Sequence, residues 1–362
     1  MPQIRAKEYI LKATEKEISH LLELYAKRDV YHGELHDHAA TGGTSDGKKP
    51  LMHWRGAMEA LSMDFAAILD HRQVRHMYLP EWEDGTFICG TEPGTFITDS
   101  GSENGEMHYN MLVPNPKELE ALLLEFPEYC FTEGSEGHFI YPKFTTERFC
   151  ELINALLSHG GFFVYPHPKQ LMKSENPLDY WFVDNTGLEV FYEDMRSEHT
   201  KNNYKLWCDL LALGKKVYAT AGCDKHKCCQ DTALTTIYAS EKSSRGFLQY
   251  LREGDFVCGS VGIRMAIGDA RMGYTTDFDG KKLTVLISDF HKSVRNPEHE
   301  FRMDVITDKG VVFSSKIDPV EMQAFTLDAE SDAAFYRVEI FDENQDLRIT
   351  IGNPIWNERM SG

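Results

Sequence analysis

Between residues 30 and 255 the chain alternates short apolar runs with helical patterns, and this alternation constrains the fold more than any other feature of the sequence. The apolar runs are "DFAAILDH" (64–71), "GTFICGTE" (85–92), "MHYNMLV" (107–113), "GGFFVYPH" (160–167), "GLEVFY" (187–192) and "KVYATAGCD" (216–224). Between them lie "PLMHWRGAMEALSM" (50–63), "NPKELEALLLEF" (115–126), "TERFCELINALLSHG" (146–160) and "NNYKLWCDLLALG" (202–214), which read as helices. Asn115 before Pro116 reads as a helix cap followed by proline at the first helical position. Such alternation argues for an α/β architecture with largely parallel strands, either a barrel or an open sheet.

The period changes at both ends. Ile10, Leu11, Ile18, Leu21, Leu22 and Tyr25 recur at helical spacing, so residues 1–29 are expected to form an amphipathic helix and not a signal peptide. After residue 255, "KLTVLISDF", "EFRMDVITD", "GVVFSSKI", "FYRVEIFD" and "LRITIGNPIW" are short alternating runs separated by polar or glycine turns. Residues 256–362 therefore read as a small antiparallel β-sandwich, and residues 30–255 as the main domain.

The residues that carry chemistry fall at strand ends. Asp70-His71 closes one apolar run and Glu92 the next, His108 lies in a third, His167 closes a fourth, and Asp224-x-His226 closes the last. Side chains at the C-terminal ends of parallel strands converge on one face, where barrel enzymes place their active sites. "HGELHDH" adds His36 and His38 at i and i+2, which a strand would turn to one face. A lone histidine at a strand end is an ordinary structural residue. Many such ends together are hard to explain as packing, because burying ionisable groups without a metal is costly.

Composition narrows the partners. A net charge of −19 argues against a duplex nucleic-acid binder, which needs a basic surface to replace counterions. A small anionic substrate stays compatible, because a metal cluster supplies positive charge locally. No apolar run reaches membrane-spanning length. The eight cysteines show no paired CxxC, and Cys228–Cys229 are spaced poorly for structural zinc, so reduced thiols in a cytoplasmic protein are expected.

In this order the motifs resemble the PHP (polymerase and histidinol phosphatase) metal-dependent hydrolases. The family's HxH is matched by His36-Asp37-His38, its "SDG" turn by Asp46, its "DH" by Asp70-His71 and its "GxE" by Gly90-Thr91-Glu92. His108, His167-Pro168 and the "DxH" of Asp224 and His226 complete the set, so all nine positions of the three-metal site carry suitable ligands. Two departures stand out: the long "AATGGTS" between His38 and Asp46, and Cys223 where serine is usual. "RGFLQYLREGDFVCGS" and the C-terminal strands look like the carbaryl hydrolase-like branch of the family, some of which cleaves other esters.

The resemblance implies a distorted TIM-like (β/α)7 PHP barrel followed by the β-sandwich. It also implies two or three divalent ions, Zn, Mn or Fe. One would take His36, His38, Glu92 and Asp224, a second Glu92, His108 and His167, and a third Asp46, His71 and His226. Such ions share a water, hold it as hydroxide beside an electrophile and neutralise ester oxygens, so no protein nucleophile is required. Lys169, Arg196, Lys225 and Arg72 are candidates to meet an anionic group at the rim. Asp70 and Glu189 are candidates to orient ligating histidines.

The leading expectation is a phosphoesterase acting on a small phosphorylated molecule. A hydrolase of carboxylic or carbamate esters with the same metals is the alternative, followed by a nuclease on short single strands. A non-catalytic metal-binding or interaction module is the reading from another class, with the C-terminal domain as the surface for a partner or a second copy.

Overall fold

The computed structural model describes residues 12–99, 106–129, 132–133, 139–168, 182–227 and 233–360. Nine strands build the part that carries the site: β1 (Asp29–Asp37), β2 (Phe65–Ile68), β3 (Phe87–Thr91), β4 (Asn110–Leu112), β5 (Phe162–Tyr165), β6 (Thr186–Tyr192), β7 (Val217–Gly222), β8 (Thr235–Ala239) and β9 (Phe256–Gly259). They lie side by side in the order β7-β6-β5-β4-β3-β2-β1-β8-β9. β1, β2 and β3 are mutually parallel, as are β5, β6 and β7. β4 runs against both of its neighbours, so the expected parallel sheet contains one reversed strand. The run 107–113 does not stay one strand: Glu106–His108 joins a small sheet with Gly94–Ile97 and Lys143–Phe144, and only Asn110–Leu112 enters the main sheet.

β7 and β1, which have five strands between them in this order, return to each other at one end. Asp224 N donates to His36 O at 2.8 Å, and His38 N donates to Lys225 O at 2.9 Å. This end holds the C-termini of β1, β2, β3, β5, β6 and β7. Register slips between Glu34 and Asp37 in β1 and between Glu189 and Phe191 in β6. Such irregularities re-aim side chains, and here they fall where His36 and Glu189 sit.

Among the described residues, six α-helices accompany the strands: α1 (Glu15–Leu24), α2 (Leu51–Leu61), α3 (Pro116–Glu125), α4 (Thr146–Ser158), α5 (Glu198–Ala212) and α6 (Ser244–Glu253). Their ends follow local chemistry. Asn115 accepts from Lys117 N and Glu118 N before Pro116, and Thr14 and Glu17 form a reciprocal capping box on α1. Gly254 ends α6 in the left-handed region at φ 73°, which glycine adopts without strain. In α1 Leu21 is buried, as is Tyr25 just past its end, while Leu22 is exposed; Ile10 and Leu11 lie outside the described residues. Phe247 and Leu251 of α6 are buried with Leu35, Phe65, Phe162 and Val164, forming the apolar floor opposite the polar end.

β9 is bonded on one side to β8 and on the other to Leu347–Gly352, so the main sheet continues into the C-terminal region. There Phe335–Asp342, Phe301–Thr307 and Gly310–Ile317 extend it with antiparallel pairing. A second antiparallel sheet contains Val261–Ile267, Lys282–Phe290 and Gln323–Asp328. Buried Ile263, Val285 and Ile287 share a cluster with Met303, Val305 and Val338. Among the described residues, no helix is long and apolar enough to cross a membrane.

Candidate metal centre

Glu92, the first residue past β3, stands at the middle of the polar end. Its Oε2 lies 3.4 Å from His36 Nε2, 3.3 Å from His38 Nε2 and 3.1 Å from His71 Nδ1. Its Oε1 lies 3.1 Å from His108 Nδ1 and 3.0 Å from His167 Nε2. Asp224 presents Oδ1 to His38 Nε2 at 3.1 Å and to His36 Nε2 at 3.6 Å. Asp46 closes the outer side, with Oδ2 3.0 Å from His226 Nε2 and Oδ1 3.5 Å from His71 Nε2.

The nine residues expected as ligands are thus drawn into one basin, through contacts that run from His226 to His167. Among the described residues, three compact groups lie within it: His36, His38, Glu92 and Asp224; His38, Asp46, His71 and His226; and His71, Glu92 and His108. In each, one ligand atom per residue lies within 4.8 Å of the others. The groups overlap at His38, His71 and Glu92. His167 touches Glu92 but stands outside the third group, which holds His71 in its place.

The donor set fits divalent ions on evidence internal to the site. Nε2 of His36 and of His38 approach to 3.3 Å, although both are imidazole nitrogens. Glu92 Oε2 is buried with no hydrogen-bond partner among the described residues, while three imidazoles face it. Mixed imidazole and carboxylate ligation suits zinc, manganese or iron.

Without a cation, protons must balance the carboxylates. Burial would push Glu92 up, but His36, His108 and His167 outweigh it and hold the carboxyl well below the ordinary range. Burial would lower His36 and His38. Glu92, Glu189 and Asp224 instead raise His36 well above the imidazole range, and the nearby carboxylates of Asp224 and Glu92 raise His38 to about 9.

The backbone here is held in unusual conformations. His167 and Asp224 have φ of 27° and 50°, and Arg72, next to His71, has 56°. Non-glycine residues rarely adopt this left-handed region, and such positions cluster at functional sites. The long stretch between His38 and Asp46 is a bonded loop. Ala40 N donates to Lys49 O at 2.7 Å, Lys48 N to His226 O at 2.6 Å, and Ser45 Oγ to Ala39 O at 2.5 Å. Gly47 is required in it, because a Cβ would lie 2.4 Å from the carbonyl carbon of Ala39.

The two carboxylates expected to orient ligands behave differently. Glu189 Oε1 lies 3.0 Å from His36 Nδ1, and its Oε2 accepts from His167 N at 2.7 Å. Asp70 faces no histidine of the cluster. It pairs with His76 Nδ1 at 3.1 Å, accepts from Ala39 N at 2.7 Å and from Thr41 Oγ1, and so anchors the loop that carries Asp46. Its neighbour in sequence, His71, turns the other way.

The rim cations also separate. Arg72 stacks over the Tyr141 ring at 4.3 Å and donates to Tyr141 Oη at 2.8 Å. Tyr141 and His108 meet above Gly94, where a Cβ would lie 2.2 and 3.3 Å from their rings. Arg196 bonds Gln345 of the C-terminal region and does not face the cluster. Lys225 contributes its backbone to the β1 contact and keeps a half-buried side chain. Lys169 lies outside the described residues.

Two residues with roles here have no counterpart in the sequence reading. Glu34, fully buried, accepts Cys223 N at 2.7 Å just before Asp224. Tyr192 Oη donates to Asp224 Oδ2 at 3.0 Å. Tyr192 ends "GLEVFY", and its strand-end position was the available signal; Glu34 shows none, because its partner is a distant backbone N–H.

No family model and no curated protein matches the chain. Its overall shape is similar to a two-domain protein of Bacteroides vulgatus containing a predicted PHP-like metal-dependent phosphoesterase, at 12% identity and TM-score 0.41 over 91% of this chain and 96% of that one. An amidohydrolase of Chromobacterium violaceum aligns at 14% identity and TM-score 0.36, over 54% of this chain and 87% of that one. The lesion-specific endonuclease of Pyrococcus furiosus aligns at 11% identity and TM-score 0.40, over 62% of this chain and 56% of that one. None of the three speaks for the carbaryl hydrolase-like branch. These likenesses are loose, and the chemistry of the site stands on its own side chains.

Proposed function

We propose that this chain is a PHP-type metal-dependent hydrolase, built as a distorted (β/α)7 barrel with a C-terminal sandwich, that cleaves a phosphate ester of a small molecule. The observation that carries this reading is the sharing of Glu92, His38 and His71 among three ligand groups. A single structural ion needs one closed set of four ligands, whereas overlapping open sets suit adjacent ions. His36, His38, Glu92 and Asp224 would hold one ion, Glu92 with His108 and His71 or His167 a second, and Asp46, His71 and His226 a third. Bound there, divalent ions activate water and neutralise the oxygens of a phosphate ester.

The protein's own groups prepare the ligands. Glu189 takes the Nδ1 proton of His36 as a hydrogen bond, which leaves the Nε2 lone pair directed at the cluster. Arg72, fixed against Tyr141, places a positive charge next to His71. Cys223 is fully buried and serves as packing.

Rates on a phosphomonoester, a phosphodiester and a carboxyl ester, each with added Mn(II), Fe(II) or Zn(II), test the assignment against His36→Ala. Phosphoester turnover that disappears in the variant is expected. Turnover of the carboxyl ester alone would replace the phosphoesterase with the ester hydrolase. A metal-loaded protein inert towards all three would leave a non-catalytic module.

A further inference from the structure

The two oxygens of Asp224 are divided between two tasks. Oδ1 faces His38 and His36, while Oδ2 accepts from Tyr192 Oη at 3.0 Å. The direction of this bond is fixed, since an ionised carboxylate has no proton to give and the phenol does. The Asp224 backbone is also held, by its N–H on His36 O at 2.8 Å, so the phenol settles the remaining freedom, the rotation of the carboxylate.

Tyr192 is itself anchored outside the cluster. Its N–H donates to Thr200 Oγ1 at 3.1 Å, and Ser197 Oγ donates to its carbonyl at 3.2 Å, tying it to the start of α5. Its ring meets those of His167 at 5.6 Å and His199 at 5.8 Å edge-on. Tyr192 is 8% exposed, and its hydroxyl reaches inward to Asp224. A chain of contacts therefore runs from α5 through one phenol to one oxygen of one candidate ligand.

We propose that Tyr192 is a positioning residue that occupies Oδ2 of Asp224 and reserves Oδ1 for the ion held by His36, His38, Glu92 and Asp224. A carboxylate with one oxygen so engaged binds through the other alone, which suits a crowded site in which neighbouring ions lie side by side. The consequence is selective. Loss of the hydroxyl weakens the ion at this position and spares the one at Asp46, His71 and His226, to which Tyr192 makes no hydrogen bond among the described residues. The inference rests on the metal reading of the preceding subsection.

Tyr192→Phe removes the hydroxyl and keeps the ring. Full-length wild type and variant, stripped of metal, are titrated with Co(II), with stoichiometry read by calorimetry and ligand geometry by visible absorption. One equivalent is expected to weaken about 10- to 100-fold, the usual cost of removing an outer partner of a ligand. The remaining binding should stay within about twofold. Equal binding of all ions, or equal weakening of all, overturns the proposal. Wild type that binds no Co(II) would overturn the metal reading itself. Should Tyr192→Phe fail to fold, 3-fluorotyrosine placed at position 192 of the intact protein reads the same bond by fluorine NMR. Its resonance should move as one particular equivalent fills, and a resonance unmoved through the whole titration overturns the proposal.

Discussion

Glu92 Oε2 lies 3.1 Å from His71 Nδ1, and Glu92 Oε1 lies 3.0 Å from His167 Nε2, so one carboxylate ties the middle of the cluster to two of its sides. Its burial is complete, with the histidines supplying its polar surroundings. No other carboxylate of the site reaches as many candidate ligands.

Glu92→Gln should therefore remove more than one ion. The amide keeps the size of the side chain but loses the charge that two of the ligand groups share. Metal content after extensive dialysis, measured by plasma mass spectrometry, should fall by two equivalents relative to wild type. A loss of one equivalent or none would show that the bridging assignment is mistaken.

Metal loading should release protons. His38, raised to about 9, is expected to carry a proton in the metal-free protein at pH 7.5, and His36 is shifted in the same direction, whereas a ligating nitrogen must be free. Calorimetric titration with Mn(II) in two buffers of different ionisation enthalpy should give more than one proton released per protein, and apparent affinity should rise with pH. Identical heats in both buffers would show that these imidazoles are already neutral.

Gly222→Ala should damage the site from behind. The new Cβ would lie 2.0 Å from Glu189 Oε1 and 2.8 Å from His36 Cβ, displacing the carboxylate that orients His36. Urea unfolding of the metal-free protein should show a loss of about 1–3 kcal/mol, the cost of overpacking, together with weaker metal binding. Gly56→Ala is the opposite control. It lies inside α2 with nothing within 4 Å of the added Cβ, so a gain of about 0.5–1 kcal/mol is expected.

Stability should fall with acid through His32. Burial, then the neighbouring His291, pushes its imidazole down to about 4, while the unfolded chain titrates near the ordinary 6.5. Between these values the unfolded state binds the extra proton. The contribution is thus fully present above about pH 6.5 and is lost as pH falls towards about 4, on the order of 3 kcal/mol in all. Urea midpoints from pH 7 to pH 4.5 should fall less steeply in His32→Asn than in wild type. Parallel slopes would place the acid sensitivity elsewhere.

Much of the site was legible because strand ends carry their ligands in sequence order. "DH", "GTE", "PH" and "GCDKH" each sit beside an apolar run, and parallel strands deliver such ends to one side. The reversal of β4 was not legible. Its three residues carry no directional signal, and direction follows from how the chain leaves the small sheet at His108. Asp70 misled for a related reason: adjacent residues turn to opposite sides, so Asp70 meets His76 while His71 meets Glu92.

The sequence by itself determined most of the elements, several of their caps and the kind of chemistry available, since periodicity, turn residues and side-chain type are local properties. Tertiary structure alone decided the sharing of Glu92, the folding back of the Asp46 loop, the roles of Glu34 and Tyr192, and the turning of Arg196 towards Gln345. Each of these depends on a distance between residues far apart in the chain. Such distances are set by strand register and by bulges, which slide whole strands past one another and leave no mark on any single residue.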